Sequence, residues 1–158
     1  MQTTKQAATD FLAKHRIAVT GVSRHPEGHG GNIVYGRLRE RGYDVFPVNP
    51  NADTVEGDPC FHHLADIPGG VDAVVIATRP EEAEATVKEC EQLGIDHVWM
   101  HRSFGGGSVD DAATVYGRAS GMTVIDGGCP LMFDPVADPG HKVMKVMLTL
   151  TGKVPRRV

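Results

Sequence analysis

The sequence predicts a three-layer α/β domain built on a doubly wound parallel sheet of five or six strands. Three observations predict it. Short apolar runs rich in β-branched residues alternate with amphipathic helical stretches along the chain. The connections between them are too short to hold a second domain. The most hydrophobic run, 71–78 (VDAVVIAT), is typical of a central parallel strand covered on both faces. We therefore expect one domain over residues 1–158.

The predicted elements follow one another in a regular order. A helix over 3–15 precedes a strand over 16–22, a helix over 32–41 and a strand over 44–48. A short extra strand is predicted near 60–62, which leaves the strand count at five or six. Strands and helices then alternate, beginning with a strand, over 71–78, 80–93, 96–101, 108–120, 122–126 and 141–150.

Two helix boundaries carry specific signals. Ser108 and Asp111 resemble a capping box at the start of the fourth helix. The last helix, 141–150, is dense in apolar residues at helical spacing. This pattern predicts core packing for the last helix and leaves a contact with a second copy or another protein open.

Composition narrows the classes of function. With 41% hydrophobic and 23% charged residues, the chain has the composition of a globular protein. Its net charge of -4 argues against nucleic-acid binding, and no run approaches the ~18 apolar residues of a membrane span. Cys60, Cys90 and Cys129 lack the spacing of a disulfide framework or a zinc site. They predict reduced thiols and a cytoplasmic location.

The strand ends predict a ligand that carries phosphate. In doubly wound sheets, ligands bind outside the carboxyl ends of the strands. The first of these ends leads into a loop over 21–31 (GVSRHPEGHGG) that holds four glycines. Glycine lets backbone N–H groups approach a phosphate, and the start of the next helix adds a partial positive charge. Arg79, after the central strand, is a candidate cation for the same ligand.

Other nucleotide and metal sites fit the sequence less well. The glycines of the first loop do not form GxGxxG, and no GxxxxGK[ST] is present. Asn49 ends the second strand, where an NAD site commonly has an acid. An NAD(P)-binding oxidoreductase remains one alternative, and an enzyme that uses Cys129 as a nucleophile is another. The eight histidines lack the spacing of a metal site, so no metal is expected.

Four motifs occur in a fixed order along the chain. They are G-x-S at 21–23, V-N-P at 48–50, GDPCFHHLADIP at 57–68, and Cys129 after the last strand. Together they resemble the CoA-binding domain family, small Rossmann-like proteins similar to the amino-terminal domain of the succinyl-CoA synthetase α subunit. The resemblance covers about residues 10–130.

This resemblance implies that coenzyme A, or an acyl-CoA thioester, lies across the carboxyl edge of the sheet. The residues it implicates follow the strand ends and would contact, in chain order, the phosphates, the adenosine, the pantetheine and the thiol end. They are Gly21, Val22, Ser23, Arg24 and Gly30, then Val48, Asn49 and Pro50, then Thr78 and Arg79, and last Cys129 and Pro130. Many relatives have Lys after V-N-P, where this chain has Asn51.

The same resemblance implies binding without catalysis. The synthetase uses a phosphorylated histidine on a separate domain and a partner subunit that holds the nucleotide, and neither is present in this sequence. We therefore assign no catalytic residue. The expected partner is a CoA-type small molecule, and a homodimer or a protein partner stays open.

Overall fold

The computed structural model describes residues 1–158 and contains five helices and seven strands. The helices are α1 (Thr4–Leu12), α2 (Gly30–Glu40), α3 (Pro80–Gln92), α4 (Asp111–Ala119) and α5 (Pro139–Leu150). The strands are β1 (Arg16–Thr20), β2 (Asp44–Val48), β3 (Thr54–Val55), β4 (Asp58–Pro59), β5 (Ala73–Ile76), β6 (His97–Met100) and β7 (Thr123–Asp126). Short 3-10 turns cover Leu64–Asp66 and Pro130–Met132.

Five of the strands form one parallel sheet in the order β2-β1-β5-β6-β7. Strand β5 lies at its centre, and its four residues are completely buried. The chain first builds outward from β1 to β2, then returns to β5 and continues in the other direction. The strand order therefore reverses between β1 and β5, and a crevice is expected at the carboxyl end of that pair. The predicted doubly wound, Rossmann-like α/β fold is confirmed.

The core has two layers, one on each face of the sheet. Successive residues of a strand point to opposite faces. In β5, Ala73 and Val75 therefore join the layer that contains Phe11 and Trp99, beneath α1, α2 and α5. Val74 and Ile76 join the other layer, beneath α3 and α4. Burial on both faces explains why this strand is the most hydrophobic run of the sequence.

Two details differ from the sequence predictions. The extra strand near 60–62 is absent; β3 and β4 form a separate antiparallel hairpin, and Phe61 makes only an isolated bridge to Val48. The cap of α4 is Asp110, whose carboxylate accepts a hydrogen bond from the N–H of Ala113, so the capping box with Ser108 is wrong. Ser108 is instead buried, and its hydroxyl donates to the carbonyl of Thr78.

Helix α5 also differs from its prediction. It begins at Pro139 rather than 141, because the side chain of Asp138 caps it by accepting from the N–H of His141. Its apolar face is mostly exposed: only Leu148 is buried, whereas Val143, Val146, Met147 and Leu150 are more than half exposed. The expectation that this face packs in the core is therefore wrong for most of the helix.

None of the helices combines the length and the apolar character that crossing a membrane would require.

Candidate functional site

The first loop is held against the loop after β5 by a close backbone approach. Gly21 has φ +73°, and a Cβ placed on it would lie 2.5 Å from the carbonyl oxygen of Ala77. A Cβ on Gly31 would lie 3.0 Å from the Cβ of Ala77. Packing between two loops is therefore what requires glycine at 21 and favours it at 31. Neither position depends on a ligand for this requirement.

Two asparagine side chains shape the same loop from opposite sides. The amide oxygen of Asn32 accepts from the N–H of Ser23 at 2.7 Å, and its NH2 donates to the carbonyl of Ser23. Asn49, after β2, donates to the carbonyl of Val22 and accepts from the N–H of Asn51. Both groups of each amide thus bind protein. The V-N-P motif consequently acts first as a support for the first loop.

Helix α2 begins at this loop, and no side chain caps its first N–H groups. Its first residues are Gly30, Gly31 and Asn32, its first turn holds no acidic residue, and His29 gives no side-chain cap. The first N–H groups of a helix lack partners within the helix and carry a partial positive charge. The start of α2 therefore has the properties of an anion site.

A cleft of about 310 Å³ opens at the carboxyl edge, at the point where the strand order reverses. We call it the edge cleft. Loops and helix starts that follow β1, β5 and β6 line it, through Gly30, Gly31, Ala77, Thr78, Arg79, Pro80, His101, Ser103, Gly105, Gly107 and Ser108. The hydroxyl of Thr78 is buried and has no hydrogen-bond partner in the protein. An unpaired buried hydroxyl beside a cleft favours a polar ligand there.

A second, smaller cavity of about 110 Å³ lies next to the edge cleft. We call it the inner pocket. It shares Gly30, His101 and Ser103 with the edge cleft, and its other lining residues are Ile33, Val34, Cys129, His141 and Met144. These residues come from α2, from α5 and from the segments that follow β6 and β7, so only the folded chain assembles the inner pocket.

Burial sets the protonation of two ionisable groups that line the inner pocket, His101 and Cys129. It lowers the pKa of His101 to about 4, with a smaller contribution from His141, so the imidazole is neutral at pH 7. It raises the pKa of the Cys129 thiol to about 12. A thiol in this state is protonated at neutral pH, which argues against Cys129 as a nucleophile.

Arg79 stands at the opposite extreme of exposure. Its side chain is 80% exposed and pairs with Glu82 at 3.1 Å. The hydrogen bond that Arg79 donates to Glu82, together with the charges of Glu82 and Glu81, raises the pKa of Arg79. This guanidinium lines the mouth of the edge cleft as a solvated cation whose charge is partly balanced.

The structure places every predicted cofactor-binding residue along one edge of the sheet. Gly30, Thr78 and Arg79 line the edge cleft, and Cys129 lines the inner pocket. The remaining residues follow the strand ends without lining either cavity: Gly21, Val22, Ser23, Arg24, Val48, Asn49, Pro50 and Pro130. Val22 and Val48 are buried, and their carbonyls already accept from the side chain of Asn49 and from the N–H of Gly21, respectively.

Three residues with polar side chains line the edge cleft but lie outside the predicted cofactor-binding set. His101, Ser103 and Ser108 follow β6 and line the edge cleft. The signal that points to them is the rule that ligands bind outside the carboxyl ends of the strands, because all three follow β6.

Comparison with known proteins agrees with this geometry. Residues 15–135 match the sequence profile of the family described as a CoA binding domain. The chain belongs to the CoA-binding domain family. That match begins just before β1 and ends shortly after the last 3-10 turn, so it includes every strand of the sheet.

Family members occur in proteins of different size. An ADP-forming acetate–CoA ligase II from Archaeoglobus fulgidus is 36% identical over 88 residues, covering 54% of this chain and 13% of the ligase. The uncharacterized protein YneT from Bacillus subtilis is 29% identical over 110 residues, covering 70% of this chain and 78% of YneT. The matched segment thus spans about an eighth of the ligase but most of the small relative.

A solved structure of similar size has the same fold. A hypothetical protein from Pyrococcus horikoshii superposes with a TM-score of 0.69 at 29% identity, covering 77% of this chain and 82% of that protein. The likeness therefore extends over most of both chains.

Proposed function

We propose that this CoA-binding domain binds coenzyme A or an acyl-CoA thioester at the edge cleft without catalysing a reaction. The observation that carries the proposal is the position of the cleft. It lies where the strand order reverses, beside the uncapped start of α2 and the unpaired hydroxyl of Thr78. A phosphate-bearing ligand supplies an anion for the first group and an acceptor for the second.

The parts of the ligand are assigned from the order of the lining residues. The pyrophosphate is proposed at the start of α2, close to the loop over 21–24. The adenosine would extend toward Val48, Asn49 and Pro50, and the pantetheine would pass Thr78 and Arg79. The thiol end would then reach the side of the sheet that carries Cys129 and Pro130. Support for this direction comes from the inner pocket, which adjoins the cleft on that side.

Binding without catalysis is supported by the state of the two groups nearest the thiol end. Cys129 is a protonated thiol and His101 a neutral imidazole, and neither has a protein partner that would activate it as a nucleophile or base. A cytoplasmic location is also proposed, on the support of three unpaired thiols. The exposed face of α5 supports a homodimer or protein partner only as a further proposal.

Isothermal titration calorimetry tests the proposal directly. CoA should bind with a 1:1 stoichiometry, more tightly than dephospho-CoA, and should raise the melting temperature as a ligand of the folded state must. NAD+ and NADP+ serve as comparison ligands that carry a pyrophosphate without pantetheine. Tighter binding of either dinucleotide, or no heat with CoA at millimolar concentration, would overturn the proposed function.

A further inference from the structure

We infer that the preferred ligand is a CoA thioester of a short, uncharged acyl group, and that this acyl group occupies the inner pocket. The inference rests on the proposed function, because it takes the thiol end of CoA to lie where the edge cleft meets the inner pocket. The two cavities share three lining residues, Gly30, His101 and Ser103. An acyl group attached to the thiol end of CoA, at the inner end of the cleft, would therefore enter this pocket.

The size of the inner pocket limits what it can hold. Its volume is about 110 Å³, which corresponds to about four waters at ~30 Å³ each. An acyl group of two to about four carbons fits such a space, whereas a longer chain does not. Free CoA would end at the mouth and leave the pocket unfilled.

The lining favours hydrocarbon over charge. Four of its eight lining residues are hydrophobic, Ile33, Val34 and Met144 among them, so a methyl or propyl group would replace water against apolar surface. The ionisable groups that face the pocket are His101, His141 and Cys129. His141 already shares a 2.7 Å hydrogen bond with the carboxylate of Asp138. No free cation therefore faces the pocket to pair with an ω-carboxylate, whose burial without a partner is costly.

A polar group is available where the thioester carbonyl would lie. His101 is buried at the shared boundary of the two cavities, and no protein group hydrogen bonds to its ring. A neutral imidazole has one N–H donor and one acceptor nitrogen. Its free N–H can donate to the thioester oxygen, a role that leaves the thioester bond intact.

Calorimetry with a series of CoA derivatives tests the inference on the full chain. Affinity should rise from CoA to acetyl-CoA and on to butyryl-CoA, by about fourfold per methylene, which is the ~0.8 kcal/mol of burying one CH2 group. Octanoyl-CoA and succinyl-CoA should both bind more weakly than butyryl-CoA. Equal affinities for CoA and all four thioesters, with CoA still bound, would overturn the acyl inference alone. Failure of every compound to bind would overturn the proposed function as well.

Two variants with matched controls locate the acyl group. Ile33 is 49% exposed and lines the pocket, so Ile33→Phe should fill it and remove the preference for butyryl-CoA over CoA. Val115→Phe, at an exposed apolar position of α4, should keep that preference. Met144→Ala should enlarge the pocket and shift the best chain length upward, whereas Met147→Ala on the exposed face of α5 should not. An unchanged acyl profile in both pocket variants would show that the acyl group lies elsewhere.

Discussion

Two helices begin beside the edge cleft, and their starts differ in charge. Helix α2 starts with two glycines, no acidic residue and no side-chain cap. Helix α3 starts with Pro80, which has no N–H, and then carries Glu81 and Glu82 in its first turn. The two carboxylates already neutralise the partial charge of α3, while that of α2 stays available. The comparison shows how one edge of a sheet can present a single anion site although two helix starts adjoin it.

The largest expected effect concerns the glycine that holds the start of α2 in place. Gly21→Ala brings a Cβ to 2.5 Å from the Ala77 carbonyl oxygen at a φ of +73°. We expect a loss of about 3–4 kcal/mol in the free energy of unfolding, from overpacking together with left-handed backbone strain. Urea denaturation measures it.

Gly28→Ala is the matched control for Gly21→Ala. Gly28 has a similar φ of +77°, but a Cβ there meets nothing within 4 Å. Gly28→Ala should therefore lower the free energy of unfolding only by the backbone strain, about 1–2 kcal/mol. Equal losses in the two variants would show that the contact with Ala77 does not hold the loop.

The next effect concerns His101, which packs against the first residue of α2. A Cβ on Gly30 would lie 3.0 Å from the imidazole ring, and burial lowers the pKa of His101 to about 4. In the unfolded chain the pKa is about 6.5, so the unfolded state binds more protons between these two values. Stability should therefore fall by about 3 kcal/mol between pH 7 and pH 4 because of this residue.

Urea denaturation across that pH range, on wild type and two variants, isolates the contribution of His101. In His101→Asn the free energy of unfolding should change less with pH than in the wild type. His25→Asn, at an exposed position of the first loop, should retain the wild-type slope. Parallel curves for all three proteins would contradict the buried neutral state of His101.

A charge at the start of α2 should separate ligand binding from folding. Gly30→Asp places a carboxylate in the edge cleft, where it repels a phosphate but favours the helix. Relative to the isosteric Gly30→Asn, we expect CoA affinity to fall by about 2 kcal/mol, between the ~1 and ~4 kcal/mol of charges ~4 Å apart in water and near a protein surface. Thermal unfolding should show the Asp variant at least as stable as the Asn variant. Equal CoA affinity of the two variants would show that no phosphate of CoA lies at the start of α2.

The smallest effect is expected at α3. Arg79 is 80% exposed and paired with Glu82, so its contribution to affinity is strongly screened. Arg79→Ala should weaken CoA binding roughly two- to fivefold at low salt, the range of exposed ion pairs, and less at high salt. Glu82→Gln should strengthen binding slightly by freeing the guanidinium. A larger loss of CoA affinity in Arg79→Ala than in Gly30→Asp would show that the start of α3 contributes more to binding than the start of α2.

The elements that were predicted well depend on local patterns. The central position of β5 follows from an uninterrupted apolar run, because only a strand covered on both faces can bury every residue. The glycine-rich loops at the strand ends were found because such loops follow apolar strands in sequence. The three motifs over residues 21–68, together with Cys129, predicted the family that the comparison later showed.

The elements that were predicted poorly depend on contacts between distant segments. Ser108 has the sequence signature of a cap but instead donates to Thr78, a residue 30 positions away. The spacing of apolar residues in α5 predicts a face packed in the core, yet most of that face is exposed. In both cases the local pattern allows two outcomes, and long-range packing selects one.

The sequence by itself determined the alternation of the main strands and helices, the parallel sheet, and the edge at which a ligand is expected, since periodicity and glycine placement act over a few residues. Only the tertiary structure decided that Gly21 is required by Ala77 and that Asn32 and Asn49 hold the first loop. The inner pocket also forms only in the folded chain, because its lining residues Ile33, His101, Cys129 and Met144 come from four separate segments. Such a cavity has no local signature, because its walls meet only after the sheet has formed.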